Sequence, residues 1–323
     1  MSISHVIHLT DLFHPHGDRD DHYDLATVFA LHKLGKIVLE RVIIDYPPTH
    51  RKGDPALCAV AQLNMITGSD VPAGVAPKDP VEYGKRLVEY LRKAQEKIIF
   101  TVVGSSAGLA DAIRLAPEVF EEKCAGIYLN AGVGVQTAGG EREFNVRLNA
   151  AAYASIFSAP CPVYWLPCYH TIVPGMVEKS GKYGTCWCIE QKEVLSHLSE
   201  RMQNYFIYMM TQSSEPKYLR YLEEKVDQTA LKEYGEKMQR LWCTAGFLHI
   251  GKIECKNFIF APVQITCSEE GDILWTAGAG EGPQRYMFQA YADDRDSDHS
   301  FDRSGAYRLE MLENMKELFK ILH

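Results

Sequence analysis

The sequence predicts an α/β fold with a doubly wound, mostly parallel, Rossmann-like sheet and helical and antiparallel additions towards the C-terminus. Three observations predict it. Strand-like and helix-like segments alternate through the first half of the chain. Several of the strand-like segments, 97–103 above all, are near-continuous apolar runs, as strands covered on both faces must be. The most polar stretches follow such runs, at the edge where ligands bind in this architecture.

In chain order, 5–10 is β-prone and reads as a strand, and 25–31 has the apolar spacing of a helix. A second strand is expected over 36–45, a helix over 54–68 stopped by Gly68, and another over 80–95 started by Pro80. Strands at 97–103, 124–129 and 162–166 then alternate with helices at 107–115 and 149–157. Past a glycine-containing loop at 168–185, long amphipathic helices are expected over 190–211 and 228–249, with a shorter one at 216–225. Segments 258–266, 271–276 and 284–290 read as an antiparallel addition around a Glu-Glu-Gly-Asp turn, and 304–322 as the closing helix. No repeat or linker breaks the pattern, so one domain over 1–323 is expected.

Charge and cysteine usage narrow the partners. Lys plus Arg number 34 and Asp plus Glu 42, giving 34 − 42 = −8, so the surface should repel nucleic acid phosphates. The nine cysteines are scattered without framework spacing, which fits reduced thiols in a cytoplasm. No apolar run approaches the ~18 residues of a membrane span, and no export signal is read at the N-terminus.

Chemistry concentrates in Asp11-Leu-Phe-His-Pro-His-Gly-Asp18-Arg-Asp20-Asp21-His-Tyr-Asp24, on the first strand-to-helix loop. Capping of the helix N-terminus accounts for one or two of these acids. Four carboxylates this close otherwise need a cation or bound hydroxyls, so a hard-metal or polyol site is expected. A second stretch, Gly104-Ser-Ser106-Ala-Gly108, has the strand-to-helix context of a nucleophile elbow, with Ser106 as nucleophile and His249 as a distant histidine partner. Small residues that let a helix N-terminus approach a ligand are the alternative, and they are the better reading because a serine nucleophile leaves Asp11 to Asp24 unused. Gly132 and Gly134 hint at a dinucleotide loop that lacks its third glycine. Glu143 and Asn145, two apart on an expected extended segment, would point to the same side and could clasp sugar hydroxyls. His249, expected at the end of a long helix, is either favoured there by the helix dipole or is a general acid.

These stretches, in this order, resemble the inosine-uridine nucleoside hydrolase family, of which the chain looks like a divergent relative. Asp11 matches a strand-end aspartate and Asp20-Asp21 an Asp-Asp pair that starts a helix. Thr101-Val-Val-Gly-Ser-Ser-Ala-Gly, with Ala116-Pro117, resembles the Gly-rich turn and helix. Glu143-Phe-Asn-Val146 resembles the family's Glu-Phe-Asn signature, and an Ala-rich helix, a Pro-Val strand and Pro167-x-x-x-Thr171 follow it. The resemblance implies a hydrolase of N-glycosidic or related glycosyl bonds and a bound Ca²⁺. Asp11 would be metal ligand and general base, Asp21 and the Val103 carbonyl metal ligands, Asp20 the binder of ribose hydroxyls, and Glu143 and Asn145 the holders of the remaining hydroxyl. His249 falls where the family has a His-Asp pair, and Trp187 or Tyr169 could stack on the leaving group. Leu9 replaces the first aspartate, Thr137 an asparagine, and Ile250 the metal-binding aspartate, leaving the calcium shell incomplete unless His16, Asp18 or His249 contributes. The implied partners are a nucleoside or sugar and further copies of the chain in a homo-oligomer. Two other classes stay open: a serine esterase using Ser106, and a non-catalytic sugar- or polyol-binding relative.

Overall fold

The computed structural model describes residues 3–14, 19–47, 53–136, 140–173, 177–291 and 305–323; His16, Asp18 and Thr137 lie outside them. Nine strands form the main sheet: β1 (Ser4–Thr10), β2 (Ile37–Ile44), β3 (Ala73–Val75), β4 (Ile98–Val102), β5 (Cys124–Asn130), β6 (Val163–Leu166), β7 (Phe258–Cys267), β8 (Ile273–Ala277) and β9 (Arg285–Ala290). Their order is β8-β7-β9-β6-β5-β4-β1-β2-β3. All pairs from β9 to β3 are parallel, whereas β7 runs antiparallel to both β9 and β8. The expected doubly wound sheet and its antiparallel addition are both present.

The pleat of β1 explains the two layers. Val6 packs into one core and Ile7 and Leu9 into the other, because alternate side chains leave opposite faces of a strand. On the Val6 face lie α1 (Asp20–Lys33) and α2 (Leu57–Thr67). The opposite face carries α3 (Pro80–Lys93), α4 (Ala107–Leu115), α5 (Pro117–Lys123), and, beyond α6 (Phe144–Leu148), α7 (Ala150–Ile156). Helix α1 is buried on nearly every side, from Asp21 to Leu31. It packs against α2 and against the helices that complete the Val6 layer. Its acidic start therefore sits inside the molecule rather than on a solvated surface.

The second half departs from the expected long helices. Segment 190–211 is split into α8 (Lys192–Leu195) and α9 (Glu200–Met210), because Ser199 caps a new N-terminus by accepting from the Met202 N–H. The short helix expected at 216–225 shrinks to α10 (Tyr218–Tyr221). Segment 228–249 holds α11 (Gln228–Gly235), a strand at Met238–Leu241 and α12 (Thr244–Ile250). That strand pairs antiparallel with Trp187–Glu190, an interaction between distant segments that no local periodicity displays. Helix α13 (Ala306–Phe319) closes the chain against α1. No helix among the described residues is long and apolar enough to cross a membrane.

His8 on β1 is fully buried, with its Nδ1 2.8 Å from the Thr101 hydroxyl and its ring edge-on to Phe247. Burial holds its pKa down to about 3. The unfolded chain takes up a proton near pH 6.5 that the folded chain refuses until far lower pH. His8 therefore supports folding fully above pH 6.5, and that support is lost as pH falls, at up to ~1.4 kcal/mol per unit. Urea unfolding from pH 7 to pH 5 should show this slope, and His8→Gln should reduce it by one proton's worth. An unchanged slope in the variant would contradict the account.

Candidate active site

The carboxyl ends of β1, β4 and β5 frame a cavity of about 210 Å³. Asp11 reaches it from the end of β1, and Asp20 and Asp21 from the first turn of α1. Val103 follows β4, Asn130 ends β5, and Glu143 and Asn145 come from the start of α6. Six of the expected site residues, Asp11, Asp20, Asp21, Val103, Glu143 and Asn145, thus line one space.

Two of them are held differently from expectation. Glu143 and Asn145 are not on an extended segment: Glu143 is the N-cap of α6 and Asn145 lies in its first turn. The Glu143 carboxylate accepts from the Gly132 N–H at 2.9 Å, the Asn145 N–H at 3.0 Å and the Val146 N–H at 3.4 Å. Burial pushes its pKa up, opposed by these three N–H groups and by the charge of Arg147. Glu143 thereby fixes the loop after β5, and Gly132, at φ +85°, supplies the backbone bend that brings its N–H round. Gly132 and Gly134 serve this turn and a close approach to Tyr183 rather than a dinucleotide loop. The Asn145 amide donates to the Val103 and Asn130 carbonyls, each at 3.2 Å, and so ties the ends of β4 and β5 together.

His249 and Trp187 are not at the cavity. The His249 Nδ1 lies 2.7 Å from the Tyr128 hydroxyl and its ring centroid lies 4.5 Å from that of Phe260; burial lowers its pKa. Trp187 is buried, and its indole N–H donates to Thr244 Oγ1 at 3.2 Å. Trp242 and Cys243, just before α12, line the cavity instead, together with Tyr169, Cys168, Arg142 and Arg147. Sequence reasoning missed Trp242, Cys168, Cys243 and the two arginines. The available signal was that residues immediately before a helix, here Trp242 and Cys243, can face the strand ends.

The Cys243 thiol donates to Asn130 Oδ1 at 2.6 Å, and the Asn130 amide approaches Cys168 Sγ at 3.8 Å. Burial first, then the neighbouring Asp24 for Cys243 and Glu143 for Cys168, raise both thiols well above their ordinary range. They are neutral. A hard cation such as Ca²⁺ takes oxygen ligands, which a neutral thiol does not replace. The Val103 carbonyl already accepts from Asn145, and Ile250 is buried in the core rather than at the cavity. Among the described residues no group of three or more His, Cys, Asp and Glu is arranged to hold a metal ion. Asp11, Asp20 and Asp21 nevertheless line the cavity with carboxylate oxygens, the donors a hard cation would take.

The Gly104–Gly108 turn is not a nucleophile elbow either. Ser106 is 2 % exposed, has ordinary helical φ and ψ, and lines neither this cavity nor the one on the other side of Asp11. Its expected histidine partner is held by Tyr128. The glycines have packing reasons instead. A Cβ on Gly104 would meet Asp45 Oδ2 at 2.6 Å and the Asp11 backbone N at 2.9 Å, and one on Gly108 would lie 2.0 Å from Tyr83 Cδ1.

This architecture and the position of its cavity define the class: the chain has the nucleoside hydrolase fold. It is similar over 99% of its length to the whole of an inosine-uridine preferring nucleoside hydrolase from Bacillus anthracis, with a TM-score of 0.55 and 15% identity. A plant nucleoside hydrolase superposes with a TM-score of 0.54 and 12% identity over 99% of each chain. The type III effector protein XopQ, complexed with adenosine diphosphate ribose, does so with a TM-score of 0.54 and 12% identity over 98% of this chain and 94% of its own. No protein-family model matches the sequence, and no curated protein matches it.

The packing account of the turn makes opposite forecasts for two substitutions. Gly108→Ala must displace the buried Tyr83 ring and should destabilise by about 1–3 kcal/mol. Ser106→Ala removes a buried hydroxyl without a hydrogen-bond partner and should be neutral or slightly stabilising. Urea midpoints measure both, and a neutral Gly108→Ala or a strongly destabilised Ser106→Ala would contradict the assignment.

Proposed function

We propose that the chain hydrolyses the N-glycosidic bond of a nucleoside or a related ribosyl compound, with the Asp11 carboxylate as the base that takes a proton from water. The observation that carries this reading is the position of Asp11. It stands at the end of central strand β1, in a cavity where Asp20, Asp21 and Asn145, among other polar groups, suit a ring bearing vicinal hydroxyls. Named activities of the superposing proteins support it, and the ligand of the XopQ structure contains a ribosyl unit.

In the reaction the water oxygen bonds to the anomeric carbon as the bond from that carbon to nitrogen breaks. The bonding pair leaves with the nitrogen. One water proton passes to Asp11, and from there to the departed nitrogen, so carboxylate and charge are restored. The positive charge that develops on the sugar is offset by Asp11, Asp20 and Asp21, an electrostatic contribution that grows from ground state to transition state. Hydroxyls of the sugar would donate to the same carboxylates and to Asn145 Oδ1, since the Asn145 amide N–H groups are taken by the Val103 and Asn130 carbonyls. The nine cysteines are all free thiols, in keeping with a reducing compartment, and we place the protein in the cytoplasm as part of the same proposal. A second reading, a ribosyl-binding protein without turnover, is favoured by one observation: the neutral Cys243 thiol at the cavity wall, which contributes no charge to a transition state.

Release of free base and reducing sugar from a panel of nucleosides and other ribosyl compounds tests the proposal. The wild type should release both. Asp11→Asn should lose about 10²–10⁴-fold in turnover while melting normally. Turnover undiminished in Asp11→Asn would remove the assignment, and release by no ribosyl compound would favour the binding-only reading.

A further inference from the structure

The first cavity, the one that holds Asp11, Asp20 and Asp21, also has a basic side formed by Arg142 and Arg147. Arg142 stands just ahead of the α6 N-cap Glu143, and Arg147 lies in the last turn of that helix. The three aspartates come from other elements, the end of β1 and the start of α1. Of the remaining acids in the lining, Glu143 accepts from three backbone N–H groups and Glu178 pairs with Arg240 at 2.6 Å. Neither is left to neutralise the arginines fully.

Arg142 is anchored by the turn between β7 and β8, where its Nε donates to the Glu270 carbonyl at 2.8 Å and its Nη2 lies 2.7 Å from Asp272 Oδ1. Arg147 is placed differently. Its Nη1 donates to the Arg142 carbonyl at 3.0 Å, and its guanidinium carbon lies 5.8 Å from the centre of the Phe144 ring. Among the described residues it forms no ion pair. A guanidinium carries five N–H donors in a fixed fork, so Arg147 is held in direction while most of its donors remain unspent. A lone exposed arginine needs only water. Here two guanidinium groups stand on one cavity and share a single ion-pair partner, Asp272, so their like charges favour an anion between them.

We propose that the substrate is phosphorylated on the exocyclic 5′-oxygen of its ribosyl ring, and that Arg142 and Arg147 bind this phosphate. This rests on the ribosyl-hydrolase reading above and adds to it the substrate class, an N-riboside 5′-phosphate rather than the free nucleoside. The chemistry of ribose decides where the phosphate is carried. With the anomeric carbon at Asp11 and the vicinal ring hydroxyls on the acids, the exocyclic oxygen is the one left to bear a charged group without disturbing either. Among the three aspartates a phosphate would be repelled. Beside α6 it meets planar forks that can each take two of its oxygens. Arg147, with no ion pair to give up, contributes the larger share.

Release of hypoxanthine from inosine 5′-monophosphate and from inosine, compared as kcat/KM in the wild type, Arg147→Gln and Arg147→Lys, tests the proposal. The wild type should favour the phosphate by about 10- to 100-fold, the worth of hydrogen bonds between charged groups. Arg147→Gln should cut that preference about tenfold, and Arg147→Lys, which keeps the charge without the fork, should cut it less. Arg147 is exposed, so both variants should melt as the wild type does. Inosine cleaved by the wild type as efficiently as its phosphate, or a preference undiminished in Arg147→Gln, overturns the proposal and leaves the hydrolase reading standing. Where neither compound is cleaved, both are titrated by calorimetry against the wild type and Arg147→Gln. Tighter binding of the phosphate that is lost in Arg147→Gln then supports the phosphate site while the hydrolase reading falls, and equal binding or none overturns both.

Discussion

The site depends on how closely the turn after β4 can approach the end of β1. Gly104 lies against the Asp11 backbone and the Asp45 carboxylate at distances that exclude any side chain. That contact sets Asp11 and Asp45 on either side of one backbone segment and lets the Ser105 N–H anchor Asp45. With a larger residue there, the ends of β1, β2 and β4 would have to spread. The two cavities that meet at Asp11 would then lose their common wall.

Charge at the site is only partly offset by fixed groups around it. Asp11, Asp20 and Asp21 share the first cavity with Arg142 and Arg147, while Arg142 also pairs with Asp272 at 2.7 Å. The thiols of Cys168 and Cys243 record the field of the acids, because their ionisation is opposed both by burial and by the neighbouring carboxylates. Glu143 spends its oxygens on backbone N–H groups and acts as a brace. The polar atoms that remain turned to the first cavity suit the hydroxyls of a sugar better than an extended hydrophobic ligand.

The parallel sheet and the cluster at Asp11, Asp20 and Asp21 were legible in the sequence, because both are local: apolar runs mark strands, and acids between a strand and a helix have few other uses. Glu143 and Asn145 were found for a partly mistaken reason, since a five-residue helix is too short to show its period. Segment 228–249 misled because the strand at Met238–Leu241 exists only through its pairing with Trp187–Glu190. Once that strand breaks the expected helix, His249 moves to a Tyr128–Phe260 pocket and Trp242 and Cys243 take the cavity wall.

The central claim is that the acidic cavity at Asp11 holds a ribosyl ring. A crystal structure of the Asp11→Asn protein soaked with inosine tests it most directly. The account predicts the ribose within hydrogen-bond distance of Asp20, Asp21 or Asn145, with its anomeric carbon over residue 11. A nucleoside bound elsewhere, or a ribose turned away from these acids, would contradict it.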